Sequence, residues 1–490
     1  MDTDRRNFVR WMATAVSMPA ASALGSDSFV RRPRILADSD CNRTAGSAGI
    51  ADDFPALHQK INGFPLVYLD SAATTHRPRA VIDATSSFYA HDNANPSPAL
   101  HTLARRASNL CEDARSSVAR FIHARSPEEI IWTRGTTEAI NLVASSWGAA
   151  RLHPGDEILL TQAEHYSNLL PWRFVAERTR AQLRFLEVDG EGRIRLERLG
   201  ALLTQRTRIV AFTHVSNVLG HINAAGEICD RARRAGAMVL IDAAQSVPHF
   251  PVDVQALGCD FLAFSGHKMT GPMGIGVLWV RRELLDDLPP YQSGSNMAHE
   301  LESVEAAAHF AAGSHKFEAG TPNAAGAIGL AAAISYLESI GREQVWKREQ
   351  ELTAHALERL CGVPGLRVLG PTVAANRVSV FSFTLEGLPV LDIVQALDQR
   401  GIAIRGGDLA ALPLLKSLGV NAAARASCYI YTQPPDVDAL VESLTDLTRH
   451  RVSGLPAGRT CRATRSRPAT ASPQSTATTC RRISPLPKDA

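Results

Sequence analysis

Cysteine is scarce in this chain: eight in 490 residues, at positions 41, 111, 229, 259, 361, 428, 461 and 480, with no Cys-x-x-Cys pair among them. That spacing gives no zinc ribbon and no thioredoxin-like motif, and the wide scatter is not a disulfide framework. No metal site is read from the sequence. No apolar run has the length of a membrane span. Net charge is only +3, with much of the excess at the two ends. Basic residues neither gather on a recognisable module nor alternate with aromatics, which are 6% of the chain, so nucleic acid is not an expected partner. What is present, 45% hydrophobic and 21% charged residues, is ordinary for a globular enzyme. The length allows two domains and a substantial core.

The two ends differ from the middle. Asp4-Arg5-Arg6-Asn7-Phe8-Val9-Arg10, the mildly apolar Trp11 to Ala20, and Ala21-Ser22-Ala23 resemble a twin-arginine export signal with a cleavage site over residues 1–25. The expected location is the periplasm, and the alternative is a basic leader on a cytoplasmic protein. An N-terminal extension covers 26–63. Residues 453–490 are rich in Arg, Ser, Thr, Ala and Pro. They carry too few large apolar side chains to offset chain entropy and are expected to be disordered.

Chemistry concentrates around Phe261-Leu-Ala-Phe264, an apolar run that predicts a short buried strand, followed by Ser265-Gly266-His267-Lys268 and the turn Gly-Pro-Met-Gly-Ile-Gly276. A strand delivering one lysine into a glycine-rich loop suits a Schiff-base lysine. Upstream, Val239-Leu-Ile-Asp242-Ala-Ala-Gln245 predicts a second strand, ending in an acid. The pair suggests a pyridoxal 5'-phosphate site: Lys268 carries the cofactor as an imine and Asp242 keeps the pyridinium nitrogen protonated. Taken singly, each fragment is common in α/β proteins.

Other strands end in polar loops. Glu129–Thr133 leads through Arg134-Gly135 into Thr136-Thr137 and a helix, which reads either as a phosphate cradle at a helix N-terminus or as an N-cap by Thr137. Glu157–Thr161 leads to His165, whose ring can stack on a heterocycle or move protons. Arg208–His214 leads to Asn217, placed to hydrogen-bond cofactor or substrate. His101 lies at a loop-to-helix junction after Asn93–Pro98, where capping is the plain alternative, and the helix is predicted over 103–123. Strands alternating with helices, with polar residues at strand ends, indicate an α/β fold with a mainly parallel sheet. Residues 64–340 form the expected large domain. From 341 to 452 a smaller α/β domain is expected, with a strand over Arg377–Phe383.

The runs RGTTEAINLVASSWG, THVSNVLG, FSGHKMTGPMGIG and FEAGTPN, in that order, resemble the class V aminotransferase family of fold-type I pyridoxal phosphate enzymes. The likeness is strongest to Suf-type (group II) cysteine desulfurases and selenocysteine lyases, over about 64–449. It implies a seven-stranded-type sheet, a homodimer and an amino-acid substrate. By resemblance, Lys268 is the cofactor lysine, with Ser265 and His267 as phosphate-binding neighbours. Asp242 partners the ring nitrogen, Gln245 the phenolic oxygen, and His165 stacks and transfers protons. Thr136 and Thr137 form the phosphate loop, and Thr321 is a phosphate contact given by the partner subunit. Asn217 and Arg425 hold the substrate carboxylate, and His101 lies near the active-site mouth.

The chain departs from the family in one loop, Arg405-Gly-Gly-Asp408-Leu-Ala410-Ala-Leu-Pro413. The desulfurases carry their persulfide-forming cysteine where Ala410 stands, and a histidine pair where Asp408-Leu409 stands. Alanine is no nucleophile. Cys428 is the nearest cysteine to Arg425, in a strand-like run to Tyr431 that suggests a buried small hydrophobe. The expected activity is conversion of L-cysteine or a selenocysteine-like amino acid to L-alanine with release of sulfur, the acceptor being unspecified. The alternatives are other pyridoxal phosphate chemistry (C–S β-lyase, epimerase, transaminase) and a non-enzymatic binding protein.

Overall fold

A computed structural model describes residues 49–96, 100–300, 303 and 309–452. The twin-arginine segment, the extension up to residue 48, Ser97-Pro98 and the tail from 453 lie outside the described residues.

The central sheet is built from β2 (Ile130–Thr133), β3 (Glu157–Thr161), β4 (Gln182–Leu186), β5 (Thr207–Thr213), β6 (Met238–Asp242), β7 (Phe261–Ser265) and β8 (Gly276–Val280). Their order is β2-β8-β7-β6-β5-β3-β4. Every pairing from β7 to β4 is parallel, and β8 alone runs antiparallel to both its neighbours. This is the mainly parallel seven-stranded sheet that the sequence implied. Strands covered on both faces have no polar side to present, which is why β7 reads Phe-Leu-Ala-Phe-Ser and is buried throughout. Apolar side chains of α1 (Thr102–Phe121), α4 (Ala225–Arg234) and α5 (Ala324–Ile340) fill one face, and those of α2 (Thr136–Val143) and α3 (Leu170–Thr179) the other.

Gly276 and Gly135 make one close approach possible. A Cβ at Gly276 would lie 2.4 Å from the Gly135 Cα. The start of β8 therefore presses directly on the turn that opens α2.

A second, antiparallel sheet has the order β9-β10-β13-β12, from Leu366–Val368, Val380–Leu385, Ala423–Ser427 and Arg405–Gly407. It packs on α6 (Arg342–Cys361), α7 (Val390–Asp398) and α8 (Pro434–Val452) through Leu357, Phe381, Phe383, Leu397 and Leu440. The expected strand at Arg377 begins three residues late, at Val380. Arg377 is buried, and its guanidinium donates to the Pro371 and Val380 carbonyls. The strand-like run from Cys428 is corrected too: β13 ends at Ser427. Tyr429 and Thr432 close a turn on each other ahead of Pro434.

A strap near the N-terminus touches both sheets. β1 (Val67–Tyr68) pairs in parallel with β11 (Ile402–Ala403), and Asp70 bridges to Ser427. Further along, Gln245 donates to the Ala72 carbonyl, and the Thr75 amide donates to the His267 carbonyl. Among the described residues, no single helix is long and apolar enough to cross a membrane.

Candidate active site

The ends of β3, β5, β6 and β7 converge on Lys268, as open parallel sheets arrange their ligand crevices. Lys268 closes the short turn Gly266–Lys268 directly after β7. Burial, opposed by the Asp242 carboxylate and reinforced by the Arg425 guanidinium, holds its amine down at about 8. Asp242, at the end of β6, is buried, and its Oδ1 accepts the Ala244 amide at 3.0 Å. Burial raises its carboxyl, against that bond and the Lys268 charge. Among the described residues, no cationic side chain pairs with it at salt-bridge distance.

His165 follows β3. Burial, then the Lys268 and Arg425 charges, push its imidazole down to about 4, while Asp408 pulls the other way. The ring is therefore neutral at pH 7. Nδ1 accepts the Ser167 amide at 3.1 Å, which assigns the proton to Nε2. Glu164, one residue earlier, is buried among three donors: Thr161 Oγ1 at 2.5 Å, Asn168 Nδ2 at 2.7 Å and the Thr213 amide at 3.1 Å. Burial pushes its carboxyl up to about 8 against them.

At α2 the cap is Gly135, which brings no side chain of its own to the helix N-terminus. The Thr136 amide and hydroxyl both meet Ser265 Oγ, at 2.8 and 2.7 Å. Thr137 Oγ1 meets Ser167 Oγ at 2.8 Å. Three of the sequence-predicted residues, Thr136, Thr137 and Ser265, thus share one hydroxyl-lined helix end. His267 is half-buried, its imidazole pushed down to about 4 by burial and then by Lys268 and Arg77. Gln245 is buried, with Nε2 on the Ala72 carbonyl and Oε1 without a partner.

Arg425 is 3% exposed. It donates from Nη1 to the Asn217 carbonyl (3.0 Å) and from Nη2 to Asp70 Oδ1 (3.2 Å), and its Nε is buried without a partner. Asn217 Nδ2 donates to the Leu409 carbonyl at 2.9 Å. The loop after β12 is thereby tied in. The Tyr166 amide donates to the Ala410 carbonyl (2.8 Å), and the Tyr166 hydroxyl to Asp408 Oδ2 (2.8 Å). Leu409 and Ala410 both adopt left-handed backbone, with φ of 52° and 53°.

Two predicted residues stand apart. His101 is exposed and caps α1, its Nδ1 accepting the Ala104 amide at 3.2 Å. Thr321 is exposed on the loop before α5. Cys428 is buried in the second sheet's core, and burial raises its thiol well above the ordinary range, so it is no nucleophile. Cys111, Cys229 and Cys259 are buried as well, and Cys361 is exposed at the end of α6. The sequence reading missed Asp70, Glu164 and Tyr166. Its one available signal was that Glu164 and Tyr166 flank His165.

The family model for class V aminotransferases matches residues 67–440. The chain is 47% identical over 401 residues to a probable cysteine desulfurase of Streptomyces coelicolor, covering 81% of this chain and 95% of that one. The fold is similar to a solved cysteine desulfurase, CsdA of Escherichia coli, at 39% identity and TM-score 0.76, covering 83% and 99% of the two chains. It also resembles a C-DES structure in which glycine is covalently linked to the pyridoxal phosphate cofactor, at 25% identity and TM-score 0.70, covering 81% and 98%. The chain belongs to the cysteine desulfurase family of class V aminotransferases. It is a pyridoxal phosphate-dependent enzyme, and its own residues fit that cofactor. Gly135 caps α2 with no side chain of its own, leaving the hydroxyls of Thr136, Thr137 and Ser265 at the helix end, Asp242 is a buried carboxylate with no cation on it, and the Gln245 oxygen is orphaned in the same crevice. A phosphate, a pyridinium N–H and a ring substituent would answer these in turn.

Proposed function

We propose that this desulfurase-family enzyme acts on L-cysteine or a selenocysteine-like amino acid, giving L-alanine and released sulfur. The observation that carries the reading is the convergence of Lys268, Asp242, His165 and Arg425 in one mutually interacting cluster. When bound, pyridoxal phosphate supplies an electron sink for bond breaking at the substrate's Cα and Cβ. Lys268 would hold it, with Asp242 placed for its ring nitrogen and Gln245 for its phenolic oxygen. The hydroxyls of Thr136, Thr137 and Ser265 and the His267 ring receive the phosphate. Arg425 and Asn217 orient the substrate carboxylate, for which a guanidinium offers two parallel donors. With its amine held at about 8, a fraction of Lys268 is neutral near pH 7 and able to take the Cα proton. His165, neutral and carrying its proton on Nε2, would offer a flat face to the ring and a hydrogen-bond donor to the substrate.

A second reading rests on Ala410. With no thiol in the loop, sulfur leaves without a protein persulfide, and β-elimination becomes the competing outcome: L-cysteine and water would give pyruvate, ammonia and sulfide. Incubating holoenzyme with L-cysteine decides between them. With dithiothreitol present as the two-electron reductant of the released sulfur, alanine with sulfide supports the desulfurase reading, and pyruvate with ammonia supports the lyase. We further infer a homodimer in which Thr321 reaches the partner's phosphate site and His101 lies near the active-site mouth. Large (64–340) and small (341–452) domains, and export by the twin-arginine route, complete the reading. Arg5→Lys with Arg6→Lys is then expected to retain the protein in the cytoplasm, and unchanged fractionation contradicts export.

A further inference from the structure

Three charged side chains from distant parts of the chain meet beside the substrate-carboxylate arginine. β12 and β13 are antiparallel with Arg405 directly opposite Arg425, so both side chains stand on one face of the sheet. Two guanidiniums in that position repel each other. The strap residue Asp70 lies against both. Arg405 donates from Nε to Oδ1 (3.1 Å) and Oδ2 (3.2 Å), and from Nη2 to Oδ2 (2.7 Å). Arg425 donates once, from Nη2 to Oδ1 at 3.2 Å. Asp70 is 14% exposed, Arg405 51% and Arg425 3%.

We propose that Asp70 is a resident carboxylate that fills the second of two adjacent arginine sites, restricting the enzyme to amino acids with a single carboxylate. The inference deepens the proposed function and rests on its assignment of Arg425 to the substrate carboxylate. Two positive charges and one negative leave a net +1, the complement of one substrate carboxylate. Arg425 keeps a buried Nε with no partner, a spare donor for that group. Arg405, which would grip a side-chain carboxylate, already gives its Nε and Nη2 fork to Asp70. Arg405 also draws the Asp70 charge away from Arg425, which otherwise would lose its substrate to an internal competitor. A purely structural tie would predict lost stability on substitution, with no change in selectivity.

The test is calorimetric titration of the holoenzyme with L-alanine and L-aspartate. In Asp70→Asn the ratio of aspartate to alanine affinity rises about tenfold or more, the weight of one charge-assisted pair. A folded variant whose ratio stays within about twofold of the parent overturns the proposal. Should that variant not fold, Arg405→Gln decides. With Arg405 gone, Asp70 turns wholly to Arg425, and alanine binding weakens about tenfold. Unchanged alanine binding overturns the proposal. Asp70→Glu, which keeps the charge, retains the parental preference. Binding heats are read without turnover. A protein inactive on L-cysteine that still shifts its ratio in Asp70→Asn therefore contradicts the desulfurase reading and supports this one.

Discussion

Replacing Ala410 by cysteine supplies the nucleophile that the loop after β12 lacks. The backbone there is already left-handed, at φ 53°, so alanine and cysteine carry the same steric penalty of about 1–2 kcal/mol. The bonds that hold the loop at this residue, from the Tyr166 amide to the Ala410 carbonyl and from the Ala410 amide to Asp408 Oδ1 at 3.1 Å, involve only the backbone of residue 410 itself. They survive the change. Ala410 is half-buried, so one added sulfur is expected to alter stability by no more than about 0.5 kcal/mol. Arg425 and Lys268 lie close enough to act electrostatically on neighbouring His165, and such charges favour a thiolate. On L-cysteine, Ala410→Cys should release alanine about tenfold faster, or about 1.4 kcal/mol off the barrier. Intact-mass spectrometry should find one extra sulfur atom on the protein, removed by dithiothreitol. A folded variant that gains neither sulfur nor rate refutes the placement of this loop beside the departing sulfur.

Other perturbations follow from the same geometry. The imidazoles of His165 and His267 sit at about 4 in the fold against an ordinary 6.5, so between those values the unfolded chain binds more protons than the folded one. Stability of the cofactor-free protein should fall as pH drops from about 6.5 towards 4. His267→Asn should flatten the dependence of Tm on pH, and an unchanged slope contradicts the assignment. Arg115 donates to both oxygens of the buried Glu318, at 2.7 and 2.9 Å. Arg115→Met strands that carboxylate and should cost about 3–5 kcal/mol in denaturant unfolding, largely recovered by adding Glu318→Leu. Above about pH 8, where the Glu164 carboxyl is ionised, Glu164→Gln turns an amide donor towards one of three donors and should cost about 1–3 kcal/mol. A shift below that range would mean that the three bonds hold little of the His165 turn.

How much could be read beforehand depended on sequence distance. Lys268 and Asp242 were legible because Asp242 ends one unbroken apolar run and Lys268 follows another by the short turn after Ser265, and strands buried on both faces leave that imprint. Asp70 and Arg405 were not, for they lie 335 residues apart and meet only through the antiparallel register of β12 and β13 and the passage of the strap. Glu164 reads as a surface acid at a strand end. Its burial follows from three donors converging from separate elements, a fact of tertiary structure. Cys428 shows the opposite error: an apolar Cys-Tyr-Ile-Tyr run resembles a strand, yet the Thr432 hydroxyl accepts the Tyr429 amide and folds it into a turn. Thr137 could equally have been an N-cap in sequence, and the backbone settles the cap on Gly135.

Borohydride reduction of the holoenzyme, followed by peptide mass spectrometry, tests the whole account most directly. A pyridoxyl group fixed on Lys268 Nζ, and absent from Lys268→Ala, is the predicted result. A label on any other lysine, or a protein that takes up no pyridoxal phosphate, contradicts it.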